Sequence, residues 1–393
     1  MTPAARVQAA IEILDLVVHA ARTKGAPADR LIAEWFRNHR FAGSKDKRAI
    51  REHVYAAIRA CGPVPKNGRA AMLCLAENDP DLALLFDGSN YGPAVISPDE
   101  QAAEGGIAPE WLEDRLIASD VPQVMAEALL GRAPLDLRVN NLKLTRDMVD
   151  IPVDKLFTAA PQGLRVPVGS PVESWDAYLA GEVEIQDSGS QLAALAAGAQ
   201  PGETVIDLCA GAGGKTLALA AAMENRGTLI ACDTDRGRLS RLPERAERAG
   251  VGIAETILLN PGREAEVLGQ WLGKADVVLV DAPCSGTGTW RRNPEARWRL
   301  DEGELERLVQ LQARLFALAA TLVKPGGRIC YVTCSLLDEE GAGQVETFLA
   351  AHPGWQAQPL ELPAGTERGA GLRLDPYSDG TDGFFVALVT NAC

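Results

Sequence analysis

Val278-Leu-Val-Asp-Ala-Pro-Cys-Ser-Gly-Thr-Gly288 reads as a buried strand that runs into a cysteine. Its apolar run stops at Asp281, and proline and glycine then punctuate a turn. Tyr331-Val-Thr-Cys-Ser335 has the same form. The two cysteines, Cys284 and Cys334, stand fifty positions apart, with a long helical pattern between them. In an open α/β sheet this places both thiols outside the carboxyl ends of parallel strands, where ligands bind. They are the first candidates for a catalytic pair.

Working outward, strand and helix patterns alternate from residue 203 onward, the signature of a parallel sheet. Strands are predicted at 204–208, 228–232, 256–259, 277–280 and 328–332, with a last one at 384–389 after Asp382-Gly383. Residues 134–186 hold three more candidates, at 135–140, 163–168 and 182–186, and are expected to form a small α/β subdomain. Asp187-Ser-Gly-Ser190 can cap the helix that follows. Before residue 134 only helical patterns occur. Val7, Ile11, Leu14 and Val18 share one helical face, and a helix beginning at the capping candidate Ser44 ends at Cys61-Gly-Pro63. The expected organisation is an all-α domain over 1–133, the subdomain over 134–186 and the α/β domain over 187–393.

The 393 residues suffice for a sizeable core, and no apolar run is long enough to span a bilayer. Charges inside the first amphipathic pattern argue against a signal peptide, so the cytoplasm is the expected location. Eight scattered cysteines without a Cys-x-x-Cys pair suit reduced thiols. Cys61, Cys74, Cys232 and Cys330 are expected to be inert core residues, and Cys393 suggests no role. The net charge of −14 opposes nucleic acid as a partner, but it is uneven. Residues 1–60 carry eleven Lys/Arg against six Asp/Glu, a local +5 that leaves −19 on the rest. This is either a phosphate-binding surface or a solvated helical face.

Asp207-Leu-Cys-Ala-Gly-Ala-Gly-Gly-Lys-Thr216 follows the first strand of the alternating region and opens a helix. Its glycines let the backbone approach a ligand. It fails the P-loop pattern, because the position five before Gly214 is Cys209, and it fails the dinucleotide fingerprint at the third glycine. S-adenosylmethionine remains, with Asp233 at the end of the second strand as the acid for the ribose hydroxyls, and the alternative is a generic glycine-rich turn that holds no ligand.

Together, Cys209-Ala-Gly-Ala-Gly-Gly-Lys-Thr216, Asp281-Ala-Pro-Cys-Ser-Gly-Thr-Gly288 and Thr333-Cys-Ser335 resemble the signature motifs of the RNA cytosine-C5 methyltransferases of the Nop/Sun group. Leu137-Arg-Val-Asn140, Gln186-Asp187, Arg291-Arg-Asn-Pro294, Lys324-Pro-Gly-Gly327 and Asp382-Gly-Phe-Phe385 are similar to family segments in the expected order. The first third resembles the NusB-like RNA-binding domain found on a bacterial small-subunit ribosomal RNA enzyme. The resemblance implies a Rossmann-like class I S-adenosylmethionine-dependent methyltransferase sheet, an RRM-like subdomain and an all-α NusB-like amino-terminal domain. It implies methyl transfer to C5 of a cytosine in RNA, small-subunit ribosomal RNA before transfer RNA, by a monomer that needs no membrane or metal. Cys334 would attack C6, Cys284 would assist release, Asp281 would bond the cytosine edge and Lys215 would position these groups.

Cofactor contacts carry over to Cys209, Ala210, Gly211, Ala212, Gly213, Gly214, Lys215, Asp233 and Asp281. Two positions depart from the family. Gly211-Ala212 replaces Ala-Pro in the loop, and the third strand ends near Asn260 where an acid is usual; an amide still donates and accepts. Arg138, Arg291, Arg292 and Arg297 are expected RNA contacts, with Trp290 and Trp298 as stacking partners; a solvated helix start with two core tryptophans is the competing reading. The rival functions are a DNA methyltransferase with Cys284 as nucleophile, which leaves Thr333-Cys-Ser335 without a purpose, and a non-catalytic RNA-binding assembly factor.

Overall fold

A computed structural model describes residues 1–391, so Cys393 lies outside the described residues. The chain divides into two compact units: residues 1–131 with 289–301, and residues 132–288 with the chain from 302 onward. Among the described residues no helix is long and apolar enough to cross a membrane.

The first unit is built on α1 (Pro3–Thr23), α2 (Ala28–Asn38), α3 (Ser44–Ala60) and α4 (Gly68–Ala76). In α1 the Thr2 hydroxyl accepts from Ala5 N at 3.2 Å and Pro3 opens the helix, where its missing N–H costs nothing. The predicted face of Val7, Ile11, Leu14 and Val18 is buried, and Ile13 and Val17 widen it against α3 and α4. Ser44 is not the cap expected of it. Gly43 takes that place, and its N–H donates to the Asp46 carboxylate at 3.1 Å. No strand occurs in this unit among the described residues, only an isolated bridge between Cys61 and Gly105.

The segment 289–301 belongs to this helical unit. Trp298 is buried in its core, and the Trp298 indole donates to Gly62 O at 3.1 Å. Arg297 is wholly buried. Its guanidinium donates to Ile58 O at 2.6 Å, to Cys61 O at 2.8 Å and to Pro294 O. These acceptors include the orphan carbonyls at the end of α3, where a cation also meets the negative end of the helix dipole. Burial lowers the Arg297 pKa to about 10, so the group stays charged.

The second unit contains two sheets. The first joins β1 (Leu135–Val139), β2 (Leu156–Phe157), β3 (Gly163–Val166) and β4 (Val183–Ile185) in the order β2-β3-β1-β4, with every pairing antiparallel. The expected helices between these strands are reduced to single turns. Next come α5 (Ser188–Ala196), β5 (Thr204–Asp207), α6 (Gly214–Ala222), β6 (Thr228–Asp233), α7 (Leu242–Ala249), β7 (Ala254–Leu258), β8 (Ala275–Asp281), α8 (Glu302–Leu322), β9 (Val323–Thr333) and α9 (Ala342–Ala351). The chain ends through β10 (Trp355–Gln358), β11 (Thr366–Arg368), β12 (Gly371–Leu374) and β13 (Phe384–Asn391). The Asp187 carboxylate caps α5 as predicted, accepting from Gly189 N at 2.7 Å.

The large sheet runs β11-β12-β13-β9-β8-β5-β6-β7, with β10 also paired to β13. Its centre, β7-β6-β5-β8-β9, is parallel, and β13 returns antiparallel beside β9. Alternation along each central strand feeds two cores. Val278, Val280, Ile329 and Tyr331 pack with α8 and α9, and Val277, Leu279, Cys330 and Val332 pack with α5 and α6. The order reverses between β5 and β8, and the crevice at such a switch point is where an open α/β sheet binds its ligand.

Replacing Arg297 by methionine keeps the volume but leaves the α3 carbonyls buried and unbonded. We expect a loss of about 3 kcal/mol in the first unit. Urea denaturation of the full chain checks this, and a midpoint equal to that of the parent chain would show that the carbonyls find other partners.

Candidate active site

Adjacent parallel strands in register make the site. Val280 pairs with Tyr331 and Asp281 with Val332, so the chain beyond each strand leaves the sheet side by side. Glycine then holds three segments together. Gly288 N donates to Cys334 O at 3.1 Å, and Gly383 N donates to Gly288 O at 2.8 Å. A Cβ at Gly288 would stand 2.2 Å from Gly383 O, which no side chain tolerates. The Thr287 hydroxyl adds bonds to Ser335 Oγ at 3.0 Å and from Leu336 N at 2.9 Å. The result places Cys284 Sγ 3.3 Å from Cys334 Sγ, both half-buried.

The backbone on either side of Cys284 is clamped. Glu340 is wholly buried and accepts from Ser285 N at 2.8 Å, from Ser285 Oγ, and from Gln312 Nε2 at 2.9 Å. The same Gln312 amide donates to Pro283 O at 2.9 Å. Neither residue was among the sequence candidates. The only signal in the sequence is a polar glutamine in the apolar pattern of α8 and an acid six positions after Cys334.

Charge is concentrated beside the thiols. Lys215, in the first turn of α6, bonds Asp281 Oδ2 at 2.8 Å and lies 5.4 Å from the Phe384 ring centroid. Burial pulls its ammonium down, but the charge and hydrogen bond of Asp281, then Cys334, outweigh that and leave it raised. Cys284 is held well above the usual thiol range, first by its hydrogen bond to Cys334 and then by burial. Burial also pushes the Asp207 carboxyl up to about 7, against a 2.6 Å bond from the Thr216 hydroxyl.

A cavity of about 640 Å³ opens here, within the usual range for small-molecule sites. Cys209, Asp233, Asp281, Cys284 and Cys334 line it. Ala210 to Gly214 carry the chain from Cys209 into α6. Gly211 and Gly213 are both left-handed, with φ of +56° and +86°. The first departure from the family loop thus supplies a glycine where left-handed backbone is used. Asp233 accepts from Gly211 N and Asp235 N, each at 2.7 Å. Two lone pairs on its oxygens remain for a ligand. Carboxylates for ribose hydroxyls and a negative wall for a sulfonium fit S-adenosylmethionine. Leu259 and Pro261 line the cavity on either side of Asn260, which is exposed.

The expected RNA contacts need correction. The two tryptophans are buried in the helical unit's segment, as the competing reading had it, but Arg297 is buried too rather than solvated, because its guanidinium serves α3. Arg291 is buried as well. Arg138 is buried and donates to Gln186 Oε1 at 2.6 Å, linking β1 to the turn before α5. Arg292 alone of the four is exposed. Cys61, Cys74, Cys232 and Cys330 are buried, and burial pushes each thiol up, Cys330 to about 12.

Glu340→Ala should leave Ser285 N unbonded in a dry site and leave the Gln312 amide with Pro283 O alone. The expected cost is about 1–3 kcal/mol. Amide hydrogen exchange across 283–288 should rise selectively, and a uniform rise over the whole second unit would instead indicate global loss.

Comparison with known proteins agrees with this geometry. The model of the 16S rRNA methyltransferase RsmB/F family matches residues 194–390. A ribosomal RNA small subunit methyltransferase B of Sodalis glossinidius is 32% identical over 317 residues, covering 77% of this chain and 70% of that protein. A probable ribosomal RNA small subunit methyltransferase B of Synechocystis is 35% identical over 304 residues, covering 72% and 67%. A crystal structure of a methyltransferase homologue from Pyrococcus horikoshii is 26% identical, with a TM-score of 0.63 over 72% of this chain and 94% of that one. The chain belongs to the 16S rRNA methyltransferase RsmB/F family.

Proposed function

We propose that this chain transfers a methyl group from S-adenosylmethionine to C5 of a cytosine in 16S ribosomal RNA, through a covalent bond between Cys334 and C6. The observation that carries this reading is the thiol pair, 3.3 Å apart on a cavity that Asp233 and Asp281 also line. Bound S-adenosylmethionine supplies an electrophilic methyl group. Cytosine C5 is too weak a nucleophile to take it unaided. The Cys334 thiolate adds to C6, and the displaced electron pair makes C5 nucleophilic. After methylation C5 gives up its proton, the pair re-forms the C5–C6 double bond, and the sulfur leaves.

Cys284 is suited to assist that release, because it can donate to the departing Cys334 sulfur. Asp281 bonds the cytosine edge, and Lys215 keeps Asp281 in place while balancing charge near Cys334. Asp233 holds the ribose, and residues 209–214 with Asn260 complete the cofactor contacts. The base must be unstacked to reach the cavity. Arg292 is the exposed member of the run after Cys284 and contacts phosphate. Residues 1–133, joined by 289–301, act as a NusB-like RNA-binding domain, 134–186 as an RRM-like one, and the rest of 187–393 as the catalytic domain. The order β2-β3-β1-β4 supports the second assignment. The chain works as a monomer.

Incubation with RNA bearing 5-azacytosine should trap a covalent complex. Cys334→Ser should abolish the adduct, and Cys284→Ser should keep it and stall release. The opposite pattern would reverse the two roles.

Bisulfite sequencing of RNA from cells with and without the gene should lose one cytosine mark in 16S ribosomal RNA. Loss confined to transfer RNA would overturn the substrate assignment.

A further inference from the structure

The first unit holds a second cavity, of about 900 Å³, that the methyl-transfer chemistry does not use. Trp35, His39 and Phe41 line it together with Asn90 and Tyr91. Trp35 and His39 are stacked with centroids 3.9 Å apart, and Phe41 stands edge-on to both, at 6.5 and 5.7 Å. Two of these rings are offered to solvent, since Phe41 is 68% exposed and Tyr91 75% exposed. Exposed aromatics that share a concave surface are the usual mark of a partner site.

The charge around Phe41 says which partner. Between residues 37 and 51 there are six cations, Arg37, Arg40, Lys45, Lys47, Arg48 and Arg51, and all are exposed. The one acid in that stretch, Asp46, is buried and bonded to Arg6 at 2.8 Å and to the amino terminus at 3.3 Å. Lys47 and Arg51 lie over the buried Phe36 ring at 5.7 and 5.9 Å, and Phe36 stands edge-on to Trp35 of the cavity at 5.5 Å, so these two cations flank the aromatic cluster without lining the cavity itself. A protein of net charge −14 thus concentrates positive charge beside two open rings. Cations beside aromatic platforms fit a polyanion whose flat faces are free, which is single-stranded nucleic acid. A duplex offers phosphates but keeps its base faces stacked.

We propose that this cavity binds one or two unstacked bases of single-stranded RNA against Phe41 and Tyr91, with phosphates on the cations of 37–51. The Asn90 amide, which also lines it, can bond a base edge, and Glu12, the one charged side chain in the lining, accepts from the Gln8 amide at 3.3 Å and can accept from a base amino group. The inference rests on RNA being the substrate and adds a docking site remote in sequence from the cysteines.

The test uses the full chain and a labelled, cytosine-free, unstructured 12-nucleotide RNA, followed by fluorescence anisotropy. Phe41→Ala and Tyr91→Ala should each weaken binding about tenfold, the effect of one lost base stack. Phe41→Trp should bind like the parent, and Phe41→Leu should bind like the alanine variant. The double variant Arg40→Ser/Arg48→Ser should flatten the salt dependence by roughly 1.4 in slope, for two phosphates of a single strand. A duplex of the same sequence should compete at least tenfold less well. Affinity within twofold of the parent for both alanine variants, equal binding by the Leu and Trp variants, or equal competition by the duplex would each overturn the site. Adduct formation on 5-azacytosine RNA is measured in parallel. Ring-dependent binding without any adduct in the parent chain upholds this site and overturns the proposed activity. An adduct without ring-dependent binding overturns the site alone.

Discussion

The chemistry of this protein depends on a backbone contact that only glycine permits. Gly288 and Gly383 approach so closely that the carbonyl of one accepts from the amide of the other. Gly288 also donates to the carbonyl of Cys334. One residue therefore ties the loop after β8, the loop after β9 and the turn before β13. Parallel register alone would bring the two strand ends together but would leave the loops beyond them free to wander. The glycine contact, with Thr287 and Ser335, extends the register of the sheet into the irregular chain. That is how two cysteines fifty positions apart come to lie 3.3 Å from each other.

The charges follow from the same position. A buried ammonium without a partner is costly, and a buried pair is stable only with good geometry and further bonds. Lys215 meets both conditions through Asp281 and the face of Phe384. Asp281 ends β8 and Lys215 opens α6 after β5, the strand beside β8, so the ion pair crosses the switch point of the sheet. Asp233, at the end of β6, sits one strand further along and spends one bond per oxygen on backbone amides. The carboxyl edge of the sheet thus presents fixed acids along one wall and thiols at its end, an order set by strand succession alone.

Much of this was legible in the sequence because the central strands are apolar runs that end at recognisable punctuation. All six predicted strands of the large sheet exist, and Asp187 caps α5 as its position suggested. All of the misses but one share a cause: the residue's partner is far away in sequence, and only the cap of α3 is decided by a near neighbour. β10, β11 and β12 are short and largely polar, and only pairing with β13 and with each other makes them strands. Arg297 and Trp298 look like a surface grip because nothing nearby in sequence shows that the end of α3 needs a cation. Glu340 and Gln312 are ordinary polar residues until the loop of Cys284 is folded between them. Ser44 was outdone by Asp46, which reaches back to the Gly43 amide.

The two thiols are chemically unequal although they sit in similar loops. Cys284 hydrogen-bonds to Cys334 and sits next to Ser285, which the buried Glu340 holds; its bond to Cys334 and burial push its thiol up. Ionising it would bring a negative charge close to Glu340. Cys334 has the opposite surroundings. Lys215 feels its charge, and Cys284 can donate a proton to it. The two thiols thus stand in different fields, one beside a buried carboxylate and the other beside a buried ammonium. On the proposed mechanism, the hydrogen bond between them is the route by which Cys284 assists release of the Cys334 sulfur.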